Sequence, residues 1–346
     1  MANKTQKVIL GSSMCMMLMA FSAPSMAKPI TLRVADSFPA THWLSVEVTK
    51  YMMKRVTELT NNDVEFQYYP SEQLGKAKDL LALSVSGVTD IAYVAPAFVG
   101  DKMPLSVVGE LPLPARSESA CPGTMAYWKI AKPGGILDQK EFAPNGVRLL
   151  FTVVLPPYQL VTKSQFSSLQ DIKGMKIRTS GAPKELALRT LGAVPIQIPS
   201  PEINEAMGRG TVDGALLPIG SVRPYGLDAS ARYFTVGENF GSFVANYVIS
   251  ERKWKSLPPQ AQKALEQIGE EVSKRGCDIA DQQERESIQF LKEKGIKQVD
   301  LPQSDVAPLR NMQNSVGKEW AQALDKRNKA GTEILNAYLD AMKQQH

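Results

Sequence analysis

The sequence predicts an α/β protein of two lobes, with a ligand cleft between the lobes and a long spine helix across both. Three observations predict this fold. Strand-like and helix-like segments alternate along the chain, the order of segments near the start returns after residue 170, and residues 257–294 carry one unbroken helical pattern. With 346 residues, the chain is long enough for two domains of ordinary size.

Residues 1–27 have the pattern of a secretory signal peptide. Lys4 and Lys7 precede a largely apolar stretch, and Ser25 and Ala27 are small residues suited to a cleavage site. The alternative is a single membrane anchor, but the apolar stretch is shorter than the roughly 17–25 residues that span a bilayer. We therefore expect export and cleavage after Ala27.

The first lobe begins with alternating strands and helices. Residues 30–37 are predicted as a strand, and residues 41–60 as a helix whose apolar side chains recur with helical spacing. A strand follows at 64–69, a helix ends at Gly87, and another strand covers 90–95. This order predicts a largely parallel sheet covered by helices.

The second lobe repeats the order of the first. A strand is predicted at 175–180 and a helix ending at Gly192, followed by a further strand and helix and by a strand at 212–217. The stretch GTVDGALLP at 210–218 matches GVTDIAYVAP at 87–96 of the first lobe. The match indicates two lobes built on one plan.

Two β-rich runs, at 146–163 and 232–250, are predicted to cross between the lobes. We expect lobe I to comprise residues 28–155 plus 244–283, and lobe II residues 156–243 plus 284–346.

The spine helix is predicted over residues 257–294, begun by Pro258 and Pro259 and ended by Gly295. At ~1.5 Å per residue it would span ~55 Å, which is more than one lobe. One or two amphipathic helices are predicted at 304–343.

The composition argues against nucleic-acid binding and against the common enzyme sites. The formal net charge is only +5, without a long run of Lys or Arg. The only histidines are His42 and His346, too few for a zinc site of three His or Cys and a poor basis for a Ser–His–Asp triad. We therefore expect a binding protein rather than an enzyme, with no cofactor or metal.

Cys121 and Cys277 are the two cysteines that remain after the expected cleavage. In an oxidising compartment an even pair is suited to a disulfide. The sequence leaves two alternatives open for this pair: a disulfide, or two buried free thiols.

Four stretches, at 69–91, 169–180, 191–199 and 206–218, together resemble the periplasmic substrate-binding subunits of tripartite ATP-independent periplasmic (TRAP) transporters, the DctP-like family. The resemblance implies the two-lobed periplasmic-binding-protein fold and a location in the periplasm. It also implies capture of a small organic acid by cleft closure and delivery to TRAP membrane permease subunits.

The resemblance implies that Arg178, in the KGMKIR stretch, binds the ligand carboxylate. A guanidinium group can meet a carboxylate in two parallel hydrogen bonds. The alternative is a structural ion pair with a nearby Asp or Glu.

Two positions depart from the sialic-acid-binding branch of the family. Tyr158 stands where that branch has a second Arg, and Leu217 where it has Asn. We therefore expect a monocarboxylate with a fairly apolar body.

Other candidates follow from position, because ligands of open α/β sheets lie beyond the carboxyl ends of the strands. They lie at the first strand–helix junction of each lobe or carry aromatic rings: Asp36, His42, Trp43, Tyr93, Ser180 and Gly181, with Tyr225 as a further aromatic. Each has a structural alternative in the core or in a helix cap, and Asp36 would repel a carboxylate.

Two rival functions stay open at this point. One is a binding protein for an ABC importer or a sensor, and the other is an exported enzyme acting on a small acid. A monomer is the default expectation for the oligomeric state.

Overall fold

The computed structural model describes Met1 and residues 28–114 and 119–345. The expected signal peptide, apart from Met1, therefore lies outside the described residues, and its cleavage stays a prediction. No helix within the described ranges is both long and apolar enough to cross a membrane.

The strands form two separate sheets. The strands are β1 (Ile30–Ala35), β2 (Val64–Tyr69), β3 (Ile91–Val94), β4 (Val147–Val154), β5 (Gln159–Thr162), β6 (Lys176–Thr179), β7 (Val194–Gln197), β8 (Gly214–Leu217), β9 (Tyr233–Thr235), β10 (Val244–Ser250) and β11 (Lys297–Val299). Lobe I is built on the sheet with the order β2-β1-β3-β10-β4, and lobe II on the sheet with the order β11-β9-β5-β8-β6-β7.

In each sheet, the strands that alternate with helices pair in parallel, and the strand that crosses between the lobes pairs antiparallel with them. β1 pairs in parallel with β2 and β3, and β6 does so with β7 and β8. The crossing strands β10 and β5 pair antiparallel with β3 and β8. The predicted two-lobed α/β fold is confirmed.

Helices cover these sheets. They are α1 (Lys50–Leu59), α2 (Leu80–Ser86), α3 (Ala120–Ala131), α4 (Ala182–Thr190), α5 (Ile203–Gly208), α6 (Glu251–Ser256), α7 (Pro259–Glu293), α8 (Gln303–Asp325) and α9 (Gly331–Lys343). A wide π-type turn at Leu44–Thr49 leads into α1. Gly87 ends α2 in the left-handed conformation, with φ 84°, as its position predicts.

The spine helix α7 is confirmed, with 35 residues. It packs on α1, α3 and β4 in lobe I and on the short turn Ile219–Ser221 in lobe II. One continuous helix therefore supports both lobes.

The last two helices pack on different lobes. α8 packs on α4 in lobe II, whereas α9 packs on α3 in lobe I, and the Tyr338 hydroxyl donates to the Gly123 carbonyl at 3.3 Å. The division of the chain into lobes stays a prediction, and this packing favours assigning residues 331–343 to lobe I instead of lobe II.

Cys121 of α3 and Cys277 of α7 are joined in a disulfide. The bond ties the spine helix to lobe I across a sequence separation of 156 residues.

Candidate functional site

A narrow cavity lies between the lobes, beyond the carboxyl ends of β6 and β8. Arg178 reaches it from β6, Leu217 from the end of β8, and Tyr158 from the crossover between β4 and β5. With Tyr225, four of the predicted candidates thus line one cavity, in the position expected for a ligand of an open α/β sheet.

Arg178 is fully buried and held by neutral acceptors. Its Nε donates to the Ile198 carbonyl at 2.8 Å, Nη1 to the Leu216 carbonyl at 3.2 Å, and Nη2 to the Ser200 hydroxyl at 3.0 Å. No carboxylate among the residues that the structure describes forms an ion pair with it. Burial lowers the pKa of Arg178 from its ordinary value, and the side chain is a buried cation held in one orientation.

Tyr158 lies beside Arg178, and the segment between β9 and β10 holds its backbone in place. Its N–H donates to the Gly241 carbonyl at 2.7 Å, and its ring stacks on Phe243 with centroids 6.5 Å apart. Burial raises the pKa of the Tyr158 hydroxyl, so the hydroxyl stays protonated and neutral. Ser180 is also buried, and its hydroxyl lies close to the Tyr158 hydroxyl.

The remaining walls of the cavity are mostly apolar. Aromatic rings come from Phe38 of lobe I, Tyr225 of lobe II and Phe243 of the crossover. Leu155 and Ile203 add aliphatic surface. The lining therefore combines one cation with aromatic and aliphatic side chains and with the hydroxyl groups of Tyr158, Ser200, Ser221 and Tyr225.

His42 and Tyr93 contact this lining without being part of it. The His42 ring lies 4.6 Å from the Phe38 ring and 5.6 Å from the Tyr225 ring. Tyr93 packs on the other side of Phe38, at 5.0 Å.

Three sequence-predicted candidates lie elsewhere. Asp36 accepts hydrogen bonds from the Tyr247 hydroxyl at 2.6 Å and the Phe38 N–H at 3.0 Å, so its oxygens are used inside lobe I. Trp43 lines a separate surface pocket. Gly181, with φ 78°, lies against lobe I, where a Cβ would be 3.1 Å from the Glu110 carboxylate.

The sequence reasoning missed several residues of this region. Phe38, Ser200 and Phe243 line the cavity, and none of the three is among the predicted ligand contacts. Lys184 and Glu110, also missed, form an ion pair at 2.8 Å between the lobes. The feature of the sequence that could have identified Phe38 as a cavity residue is its position just after the carboxyl end of β1.

One group of three metal-type ligands occurs within the described ranges, formed by Cys121, Cys277 and Asp278. Both sulfur atoms are bonded to each other in the disulfide. The group therefore does not have the ligands of a metal site.

The family model for bacterial extracellular solute-binding protein, family 7 (DctP), matches residues 35–323. A solute-binding protein of Albidiferax ferrireducens is 24% identical over 249 residues, which cover 71% of this chain and 72% of that protein.

Solved structures of low identity share the fold. A TRAP solute-binding protein specific for aromatic acid ligands, from an unidentified marine microbe and in complex with metahydroxyphenylacetate, has a TM-score of 0.84 at 20% identity, covering 91% of this chain and 99% of that one. A TRAP periplasmic solute-binding protein from Bordetella bronchiseptica with bound mandelate has a TM-score of 0.83 at 21% identity, covering 92% and 100%. Together with the family match, the fold and the cleft place this chain in the DctP family, the solute-binding proteins of TRAP transporters.

Proposed function

We propose that this protein captures a small monocarboxylate with an aromatic or otherwise apolar body in the periplasm and delivers it to TRAP membrane permease subunits. The observation that carries the proposal is Arg178, a buried cation without a carboxylate partner among the described residues, in a cavity with aromatic walls.

The charge of Arg178 selects the anionic end of the ligand. A buried cation is costly unless a counter-charge compensates it. Three hydrogen bonds hold the guanidinium before a ligand arrives, which reduces the entropy lost on binding. A carboxylate supplies both the missing charge and acceptor oxygens.

The rest of the lining selects an apolar body. Arg178 is the one charged side chain that lines the cavity among the described residues, so a second carboxylate would be buried without a partner. Phe38, Tyr158, Tyr225 and Phe243 offer ring faces and edges to an apolar group. The ligands of the two solved relatives, metahydroxyphenylacetate and mandelate, each combine one carboxylate with one aromatic ring.

Binding without turnover is the function that this lining supports. Desolvation lowers the pKa of His42 to about 3, so the ring is a poor general base near neutral pH. The cavity lining adds hydroxyl groups and a guanidinium, but within the described residues it contains no carboxylate to act as an acid or a base.

A thermal-shift screen tests the proposal. Benzoate, phenylacetate and mandelate should raise the melting temperature, since a ligand at one hundred times its Kd adds about 2.7 kcal/mol of stability. Benzamide, which has the same ring without the charge, is the matched control and should give no shift. A response to neutral sugars with silence across all carboxylates would overturn the proposed ligand class, and recovery of altered ligand would overturn binding without turnover.

A further inference from the structure

We propose that His42 determines specificity by donating a hydrogen bond from Nε2–H to a second acceptor on the bound acid. The inference rests on the proposed function, because it assumes that a carboxylate occupies the cavity beside Arg178. It narrows the ligand to aromatic acids that carry a hydroxyl, ether or keto oxygen in addition to the carboxylate.

The local backbone sets the tautomer of His42. The Leu44 N–H donates to Nδ1 at 3.1 Å. A backbone N–H can only donate, so Nδ1 must present its lone pair, and the proton of the neutral ring is on Nε2. Desolvation lowers the pKa of His42 to about 3, and the ring therefore keeps this neutral form near neutral pH.

The Nε2–H group is a buried donor without a partner. His42 is fully buried, and Nε2 makes no hydrogen bond to any described residue. Buried donors are nearly always paired, because leaving one unpaired costs free energy. A ligand acceptor that reaches Nε2 would remove that cost, and a ligand without an acceptor would not.

His42 lies directly behind the lining of the cavity, where the two lobes meet. Its ring packs against the rings of Phe38 and Tyr225, with centroid distances of 4.6 and 5.6 Å, and both of those rings line the cavity. Its contact with Tyr225 crosses from lobe I to lobe II, so opening of the cleft would part the two rings and give a ligand access to Nε2. His42 belongs to lobe I and Arg178 to lobe II. A ligand bound by both side chains would therefore bridge the lobes, so the second contact adds to closure as well as to selectivity.

The test compares ligands that differ by one oxygen. Titration calorimetry gives the Kd of benzoate and of its ortho, meta and para hydroxy derivatives, and of phenylacetate and mandelate. The wild-type protein should prefer the oxygen-bearing member of at least one pair by about tenfold. In His42→Phe this ratio should fall to about one while benzoate still binds, and His42→Gln, which keeps an N–H donor, should restore part of it.

Trp43→Phe is the matched control. Trp43 also has a buried indole N–H without a partner in the described structure, but it lines a separate pocket, and within the described residues its ring packs on His42 and not on a ring that lines the cavity. This variant should keep the wild-type ratio. An unchanged ratio in His42→Phe, with benzoate binding intact, would overturn the inference and leave the proposed function standing. Silence of the wild-type protein toward every acid would overturn both.

Nuclear magnetic resonance provides a measurement that needs no substitution. The chain has only two histidines, so the imidazole signals of His42 are readily separated from those of His346. The Nε2–H proton should move downfield with the preferred oxygen-bearing acid and not with its parent acid. The same shift with both acids would overturn the inference.

Discussion

Lys184 of α4 and Glu110 of lobe I form an ion pair across the two lobes, with 2.8 Å between Nζ and Oε2. Both side chains are fully buried. The Lys184 ammonium also donates to the Ser242 carbonyl at 2.6 Å, and the other Glu110 oxygen accepts from the Ala97 N–H at 3.1 Å. The pair thus connects both lobes to the crossover between β9 and β10.

Replacing only one partner of this ion pair should destabilise the protein more than replacing both. Lys184→Met leaves the Glu110 carboxylate buried without its cation, and we expect a loss of about 3–5 kcal/mol in the free energy of unfolding. Burial already raises the pKa of Glu110 despite the nearby lysine. Adding Glu110→Gln, which keeps an acceptor for the Ala97 N–H, should recover most of the loss. Urea denaturation measures both variants; equal stability of the single variant and the wild type would contradict the expectation.

Glu141 should make stability fall as the pH rises toward neutral. Its buried carboxylate accepts from the backbone N–H groups of Leu105 and Ser106 at 2.7 and 2.6 Å, and desolvation raises its pKa to about 7. A pKa raised on folding stabilises fully below the unfolded value near 4.5, and this contribution is lost as the pH rises to about 7. The expected loss is at most about 3 kcal/mol.

Glu141→Gln should flatten this pH dependence, because glutamine resembles the protonated carboxyl. Urea denaturation at several pH values between 4.5 and 8 measures the difference from the wild type. Glu266→Gln, on the exposed face of α7, is the control and should keep the wild-type slope. A wild-type slope in Glu141→Gln would show that the group does not titrate in this range.

The disulfide between Cys121 and Cys277 should contribute measurably to stability. It closes a long loop in the unfolded chain, and we expect its reduction to cost about 2–5 kcal/mol. Denaturation with and without a reducing agent measures the cost. Titration of two free thiols in the unreduced, exported protein would contradict the bond itself.

Regular elements were predictable where the pattern is strong. The helix α7 has apolar residues on one side, two prolines at its start and a glycine after its end. The helix α3 was not predicted, because it is buried on most sides and so shows little alternation of polar and apolar residues. Periodicity finds half-buried helices and misses buried ones.

The site was predictable only in part, for a related reason. Arg178, Tyr158 and Leu217 come from strand ends and from the family resemblance, and they line the cavity. The pairing of Lys184 with Glu110 joins residues 74 positions apart in different lobes, and no local pattern records it. Asp36 has the right position at a strand end, but the hydroxyl of the distant Tyr247 occupies it.

The central claim is that Arg178 binds the carboxylate of the ligand, and titration calorimetry with Arg178→Ala tests it most directly. The acid that binds best in the screen should lose roughly 2–5 kcal/mol of binding free energy. Arg223→Ala is the control, because Arg223 lies over the Phe290 ring, 5.0 Å from its centroid, and lines a pocket outside the cavity. It should bind like the wild type. Wild-type affinity in a folded Arg178→Ala protein would contradict the claim.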